Sequence, residues 1–240
     1  MIDGTAKTSP DSSQLENIRA YLEHHPDVEG KPLGAGYQAT AVLYRTPLGD
    51  FVVKRARGPF LWRRFGESGL RREREIYERV CAVTGIPRCI GLLDSKHLVL
   101  EHIPGNSYRQ RQYELRDREQ FFDRLLTTIE DMHAAGVAHG DLKRKDNLLV
   151  GPDERPYLID FGLAFATGSG KPFEKSFFEW VKQYDYNAWI KHKYQRRIED
   201  ISADDAKYYR PMKLELMARA VRVIWQKLTL RRYRTRNRVR

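Results

Sequence analysis

HGDLKRKDNLLVGPDERPYLIDFGLA, residues 139–164, is the stretch on which the reading of this chain turns. It carries two aspartates 19 residues apart, Asp141 and Asp160. Between them two short strand-like runs, NLLV and PYLIDF, bracket the turn GPDER, so one hairpin joins the two acids. Asp141 lies in a loop after an apolar helical stretch. Asp160 follows the strand PYLI and precedes Phe161-Gly162, where glycine permits a sharp bend. A loop carboxylate can orient a hydroxyl and accept its proton, and side-chain oxygens beside it can ligate a hard divalent cation.

Outward from this segment, the residues before it change pattern in order. Residues 1–13 are polar, and 14–25 are predicted to form a short helix carrying Leu15, Ile18, Tyr21 and Leu22. From Lys31 to Arg57 the chain is β-rich, with ATAVLYR and DFVVKR separated by the turn signal TPLG, an antiparallel hairpin. A helix is predicted over 68–82, with Leu70, Glu73, Tyr77 and Val80 on one face. KHLVLEHI, residues 96–103, reads as a strand ended by Pro104-Gly105. Residues 117–135 are helical with Phe121, Leu125, Ile129 and Met132 as an apolar stripe. A strand-rich first part and a helix-rich second part predict an α+β, two-lobed arrangement.

The compound pattern His-x-Asp-Leu-Lys, Asn-Leu-Leu and Asp-Phe-Gly resembles the catalytic loop and DFG motif of protein kinases. That resemblance covers about residues 31–165 and implies ATP and Mg²⁺ as cofactors, with Mn²⁺ able to substitute. It makes Asp141 the catalytic base and puts Lys143 on the transferring phosphate. Asn147 and Asp160 become metal ligands, and His139 packs behind Phe161. The family's asparagine normally stands five residues after the aspartate, a position held here by Asp146. Either the loop has one extra residue or Asp146 takes the metal; Asn147 is preferred because Leu148-Leu149 then fall where the family has its adenine floor. Gly140 replaces the arginine that answers a phosphorylated activation loop, so switching by phosphorylation is not expected.

Upstream, KPLGAGYQATAV supplies Gly34 and Gly36, whose backbone can approach phosphate without a Cβ in the way, although Ala39 replaces the third glycine of the family's loop. Lys54, 18 residues after Gly36, resembles the strand lysine that holds the α- and β-phosphates. Its partner is a helix glutamate, Glu73 or Glu75. Periodicity favours Glu73, because Ile76, Tyr77 and Val80 then share its face. LVLEHI reads as the strand into the hinge, with Leu100 as gatekeeper and the backbones of Glu101 and Ile103 on adenine. The domain reading is an extension over 1–30, a sheet lobe over 31–103, a helical lobe over 104–210 and a basic C-terminal segment over 211–240.

Composition limits what remains. The 240 residues are 41% hydrophobic and 31% charged, ordinary for a globular chain. Two cysteines make no disulfide framework, and no apolar run is long enough to span a bilayer, which predicts a reducing cytoplasmic setting. Residues 211–240 hold ten basic residues against Glu215 alone, +9 of the net +11, with Leu214, Met217, Val221, Trp225 and Leu228 on one helical stripe. A solvated tail and an anionic membrane surface at the inner face of the cytoplasmic membrane are both open readings; nucleic acid is the less favoured polyanion. Residues 177–197 mix aromatics with lysines and arginines, either a helix with core aromatics or a surface for a phosphorylated headgroup. No Ala-Pro-Glu follows the Asp-Phe-Gly, and only 76 residues follow Ala164, which implies a reduced helical lobe. In this the chain looks like the small bacterial lipopolysaccharide-kinase and RIO-like branches. The expected acceptor is a hydroxyl on a lipopolysaccharide-core sugar or related glycolipid. A small Ser/Thr protein kinase and a non-catalytic ATP-binding scaffold at membrane or RNA are the alternatives.

Overall fold

The structure is a computed structural model that describes residues 12–35, 39–56, 60–168, 170 and 172–211. Gly36 and the basic segment from 212 onward lie outside the described residues. The chain begins with α1 (Ser12–His24), then β1 (Lys31–Ala35), β2 (Ala39–Thr46), β3 (Gly49–Ala56) and α2 (Phe60–Arg79). Next come β4 (Cys89–Leu93), β5 (His97–Glu101), β6 (Asn106–Ser107), α3 (Tyr108–Arg111) and α4 (Arg118–Ala134). The remaining elements are β7 (Val137–Ala138), β8 (Leu148–Val150), β9 (Pro156–Leu158), β10 (Phe165–Ala166) and α5 (Glu174–Lys193).

β1 to β5 form one antiparallel sheet in the order β1-β2-β3-β5-β4. The β2–β3 hairpin runs in unbroken register from Ala39↔Ala56 to Thr46↔Gly49, the turn that the sequence predicts. Alternation along the strands sorts their side chains to two faces. On one, Tyr44, Phe51, Val53, Ile90, Leu93 and Val99 pack with Ile18 of α1. On the other, Leu98 and Leu100 pack with Leu70, Ile76, Tyr77 and Val80 of α2. Lys54 follows Val53 and therefore faces α2, which is what brings it to the site.

The predicted faces of α1, α2 and α4 hold, with differences at the ends. Tyr21 stacks on His25 at 4.3 Å between ring centres rather than joining the α1 core. α2 starts eight residues before the predicted 68, because Gly66 and Gly69 weaken helix propensity there and mask the period. β4 is an addition. It carries a bulge between Cys89 and Gly91, and a Cβ at Gly91 would come within 2.7 Å of Leu15 Cδ2, so glycine lets α1 press onto the sheet.

In the second lobe, Asp117 caps α4 by accepting the Gln120 N–H at 2.9 Å. Phe121, Leu125, Ile129 and Met132 of α4 are buried, and the Trp189 indole N–H of α5 donates to the Phe122 carbonyl at 2.8 Å. One hydrophobic cluster runs from α2 through Phe161 to α4 and α5. Each large apolar side chain fully buried there contributes about 1.5–3 kcal/mol, so packing more than helix propensity holds these elements. Beyond α5 the described chain makes only the short turns Ile198–Asp200 and Ala206–Tyr208, in keeping with a reduced helical lobe. No helix among the described residues is long and apolar enough to cross a membrane.

Candidate active site

Three segments far apart in sequence meet at Lys54. Its ammonium donates to Glu73 Oε1 at 2.6 Å and to Asp160 Oδ1 at 2.9 Å. Glu73 is buried on the inward face of α2 while Glu75 is exposed, which decides between the two glutamates as periodicity predicts. Burial pushes the Lys54 amine down, but the two carboxylates outweigh it and hold it above its ordinary value. At Asp160 the burial penalty is likewise overcome by Lys54, and the carboxyl stays below its usual range. Asp160 sits in the left-handed region, φ 67°, a conformation that costs a non-glycine residue about 1–3 kcal/mol and that clusters at functional sites.

The catalytic-loop segment is fixed by the β8–β9 hairpin, as the Ile159 N–H donates to the Asn147 carbonyl at 3.0 Å. The Asn147 side-chain amide donates to both the carbonyl and the Oδ2 of Asp141, each at 3.1 Å. Asp146 instead turns to the surface, where Arg109 Nε lies 2.8 and 2.9 Å from its two oxygens. Of the two candidates left open by the spacing, the structure brings Asn147 to the site. Burial pushes the Asp141 carboxyl up, against the pull of Arg144 and the Asn147 hydrogen bond, and the charge of Asp160 adds to the upward push.

His139 bonds through Nε2 to the Ile159 carbonyl at 3.0 Å, and its ring lies 4.8 Å from that of Phe161. Tyr77 of α2 also meets Phe161, edge-on with ring centres 4.9 Å apart. Lys143 is exposed beside Asp141 in sequence. Gly34 is on β1 opposite Ala41, and its partner glycine at 36 is outside the described residues. At the hinge, the Glu101 N–H donates to the Arg88 carbonyl, and its carboxylate accepts the Arg88 N–H, both at 2.9 Å. Any bond from the Glu101 backbone to a base is therefore left to its carbonyl. Ile103 is buried and Leu149 half-buried on β8, opposite Tyr157.

Sequence reasoning passed over Asp185 of α5. Its Oδ2 accepts the His139 N–H at 2.7 Å and bonds His133 Nε2 at 3.1 Å, while its Oδ1 accepts the Gly140 N–H at 2.9 Å. Its signal was an acid inside the apolar stripe Val181, Ala188 and Trp189. Gly140, at φ 75°, packs so closely that a Cβ would lie 3.2 Å from the Leu163 carbonyl. The basic residues of α5 and the turn after it are partly paired within the chain: Lys182 with Glu179 at 3.0 Å, Lys193 with Glu119 and Asp205 at 2.9 Å, and Arg197 with Asp200 at 2.9 Å. Phe178, Trp189 and Ile190 are core, as the reading of a helix with core aromatics has it, whereas Phe177 and Trp180 are exposed.

Among the described residues no group of three acids, histidines or cysteines could by itself hold a metal. A carboxylate and an amide oxygen fit a divalent cation that keeps its remaining positions for phosphate and water, as Mg²⁺ does.

The family model for the protein kinase domain matches residues 34–201. A human kinase named hormonally up-regulated neu tumor-associated kinase is 33% identical over 109 residues, 42% of this chain and 15% of that protein. The zebrafish maternal embryonic leucine zipper kinase is 36% identical over 83 residues, 32% of this chain and 12% of its own length. The matches thus span a small part of these much longer relatives. With Lys54 tying the sheet, helix α2 and Asp160 together, and with the family model covering residues 34–201, the chain belongs to the protein kinase domain family.

Proposed function

We propose that the chain transfers the γ-phosphoryl group of ATP to a serine or threonine hydroxyl of a protein. The observation that carries the transfer is the Lys54 bridge to Glu73 and Asp160, with Asn147 holding Asp141 beside it. In this reading Lys54 and the Gly34–Gly36 turn bind the phosphates. Glu101, Ile103 and Leu149 receive the adenine, and Asn147 and Asp160 hold Mg²⁺. When bound, that ion neutralises charge on the phosphates. Asp141 orients the acceptor hydroxyl and takes its proton, and Lys143 lies next to the phosphoryl group in flight. The protein acceptor draws its support from the family match and from relatives named as kinases.

A glycolipid sugar hydroxyl, of the lipopolysaccharide-core type, is the second reading. It is favoured by the short span between Ala164 and α5 and by the exposed apolar side chains Leu163, Phe173, Phe177 and Trp180 along it. On that reading the chain works at the cytoplasmic face of a membrane. Incubation of the full chain with γ-labelled ATP and Mg²⁺, with mixed cell protein in one arm and core glycolipid in the other, separates the two. Phosphoserine or phosphothreonine, lost in Asp141→Ala, is expected. Label only on glycolipid moves the assignment to the second reading, and nucleotide binding without label on either overturns both.

A further inference from the structure

Two arginines of α2 grip the backbone beyond the Asp-Phe-Gly turn. Arg72, next to Glu73, donates from Nη2 to the Ala164 carbonyl at 2.6 Å. Arg79, two helical turns on and so on the same side of α2, donates from Nε to the Ala135 carbonyl at 2.9 Å and from Nη1 to the Thr167 carbonyl. The gripped segment is itself zipped down. β10 pairs with β7 through Phe165↔Ala138 and Ala166↔Val137, and the Thr167 N–H donates to the Gly136 carbonyl at 2.9 Å. Space for the second guanidinium is made by Gly136, φ 75°, where a Cβ would lie 3.0 Å from Arg79 Nη2 and 2.6 Å from Thr167 Oγ1. β7 leads directly into His139 and Asp141. Helix α2, the segment after Asp160 and the strand before Asp141 thus form a closed bracket.

We propose that Arg72 and Arg79 are positioning residues that hold Glu73 against Lys54 by gripping the Ala164 and Thr167 carbonyls, so that the transfer site is assembled without a phosphate on the 164–173 segment. The inference rests on the phosphotransferase reading and adds to it the agent that sets the position of α2. Among the described residues, the two guanidiniums that reach this segment from α2 are engaged with main-chain oxygens, and Gly140 offers no side chain. A carbonyl is fixed in the fold, whereas a phosphate comes and goes; a helix held by carbonyls has no off state of that kind.

The test is a double-mutant cycle on the full chain, read as ATP turnover and as binding of a fluorescent ATP analogue. Arg72→Ala is expected to lower kcat/KM for ATP about tenfold in the native background and less than about twofold in Glu73→Gln, because it acts through Glu73. Arg72→Lys, which keeps one donor, should recover most of the loss. Phosphatase treatment of the native chain should leave turnover unchanged. Multiplying losses in the cycle, an Arg72→Ala chain as active as the native one, or activity lost on phosphatase treatment would each overturn the proposal. A native chain that binds the analogue yet shows no turnover would overturn the phosphotransferase reading itself, and this inference with it.

Discussion

At the scale of single residues, the site was legible because phosphate chemistry admits few residue types. The resemblance to protein kinases implies a lysine ending a strand, a helix glutamate and two loop aspartates, periodicity picks the glutamate, and Lys54, Glu73 and Asp160 prove to be in contact. The choice between Asp146 and Asn147 was not decided by composition. It turns on which way each side chain points, and Asp146 is drawn out by Arg109, 37 residues upstream. Asn147→Ala should therefore raise the Mg²⁺ concentration needed for half-maximal turnover by about tenfold or more, while Asp146→Ala leaves it within about twofold. An equal rise in both variants would return Asp146 to the metal. The same amide acts on Asp141. A base must be ionised to accept a proton, so on the role proposed for Asp141 turnover should fall as pH drops through its folded pKa, which burial has raised. The Asn147 hydrogen bond opposes that rise, so in Asn147→Ala the acid limb of the kcat/KM profile should move to higher pH; a limb that moves down refutes the pairing.

At the scale of elements, periodicity read the inward face of α2 and the stripe of α4 because their apolar side chains recur at helical spacing without interruption. It failed where the pattern thins. β4, Cys-Ile-Gly-Leu-Leu, is too short and too uniformly apolar to show a period, and the start of α2 is hidden by its glycines. Asp185 was missed for a different reason: its partners are main-chain amides 45 and 46 residues away, and an amide leaves no mark in the sequence. Those amides make it an anchor between α5 and the catalytic loop. Asp185→Ala strands two backbone N–H groups and His133 Nε2 in a buried place, each at a cost of about 1–3 kcal/mol, so unfolding by urea should show a loss of several kcal/mol. Asp185→Asn keeps one acceptor oxygen and should lose less. A loss under about 1 kcal/mol for Asp185→Ala would mean that water replaces the carboxylate.

Across the whole molecule, the two lobes share a core: Leu70, Ile76, Tyr77 and Val80 of α2 belong to the cluster that contains Phe121, Phe161 and Trp189. The division into sheet lobe and helical lobe, read from the order of strands and helices, thus marks the chain well and its packing less well. Long-range packing has no sequence period, which is why α2 was assigned to one lobe although its core is common to both. His192 is another such long-range tie, and it makes the fold's stability depend on pH. It bonds through Nε2 to the Leu142 carbonyl at 2.8 Å, with the Tyr108 ring centre 5.5 Å away, and burial pushes its imidazole down to about 4. An unfolded chain takes up that proton near the ordinary value of about 6.5, so between these two values the unfolded state binds more protons than the folded one. Stability therefore falls as pH falls from about 6.5 to about 4, by at most roughly 3 kcal/mol from this group. Asp160, with its depressed carboxyl, contributes separately, in a window that begins only near the ordinary carboxylate value and runs to lower pH. His192→Gln retains an N–H for the Leu142 carbonyl and does not titrate. Its melting temperature should match that of the native chain above pH 6.5 to within the loss of packing, and change less steeply between pH 6.5 and 4. Parallel curves for the two proteins across that window would show that His192 is protonated without cost and does not link the catalytic loop to α5.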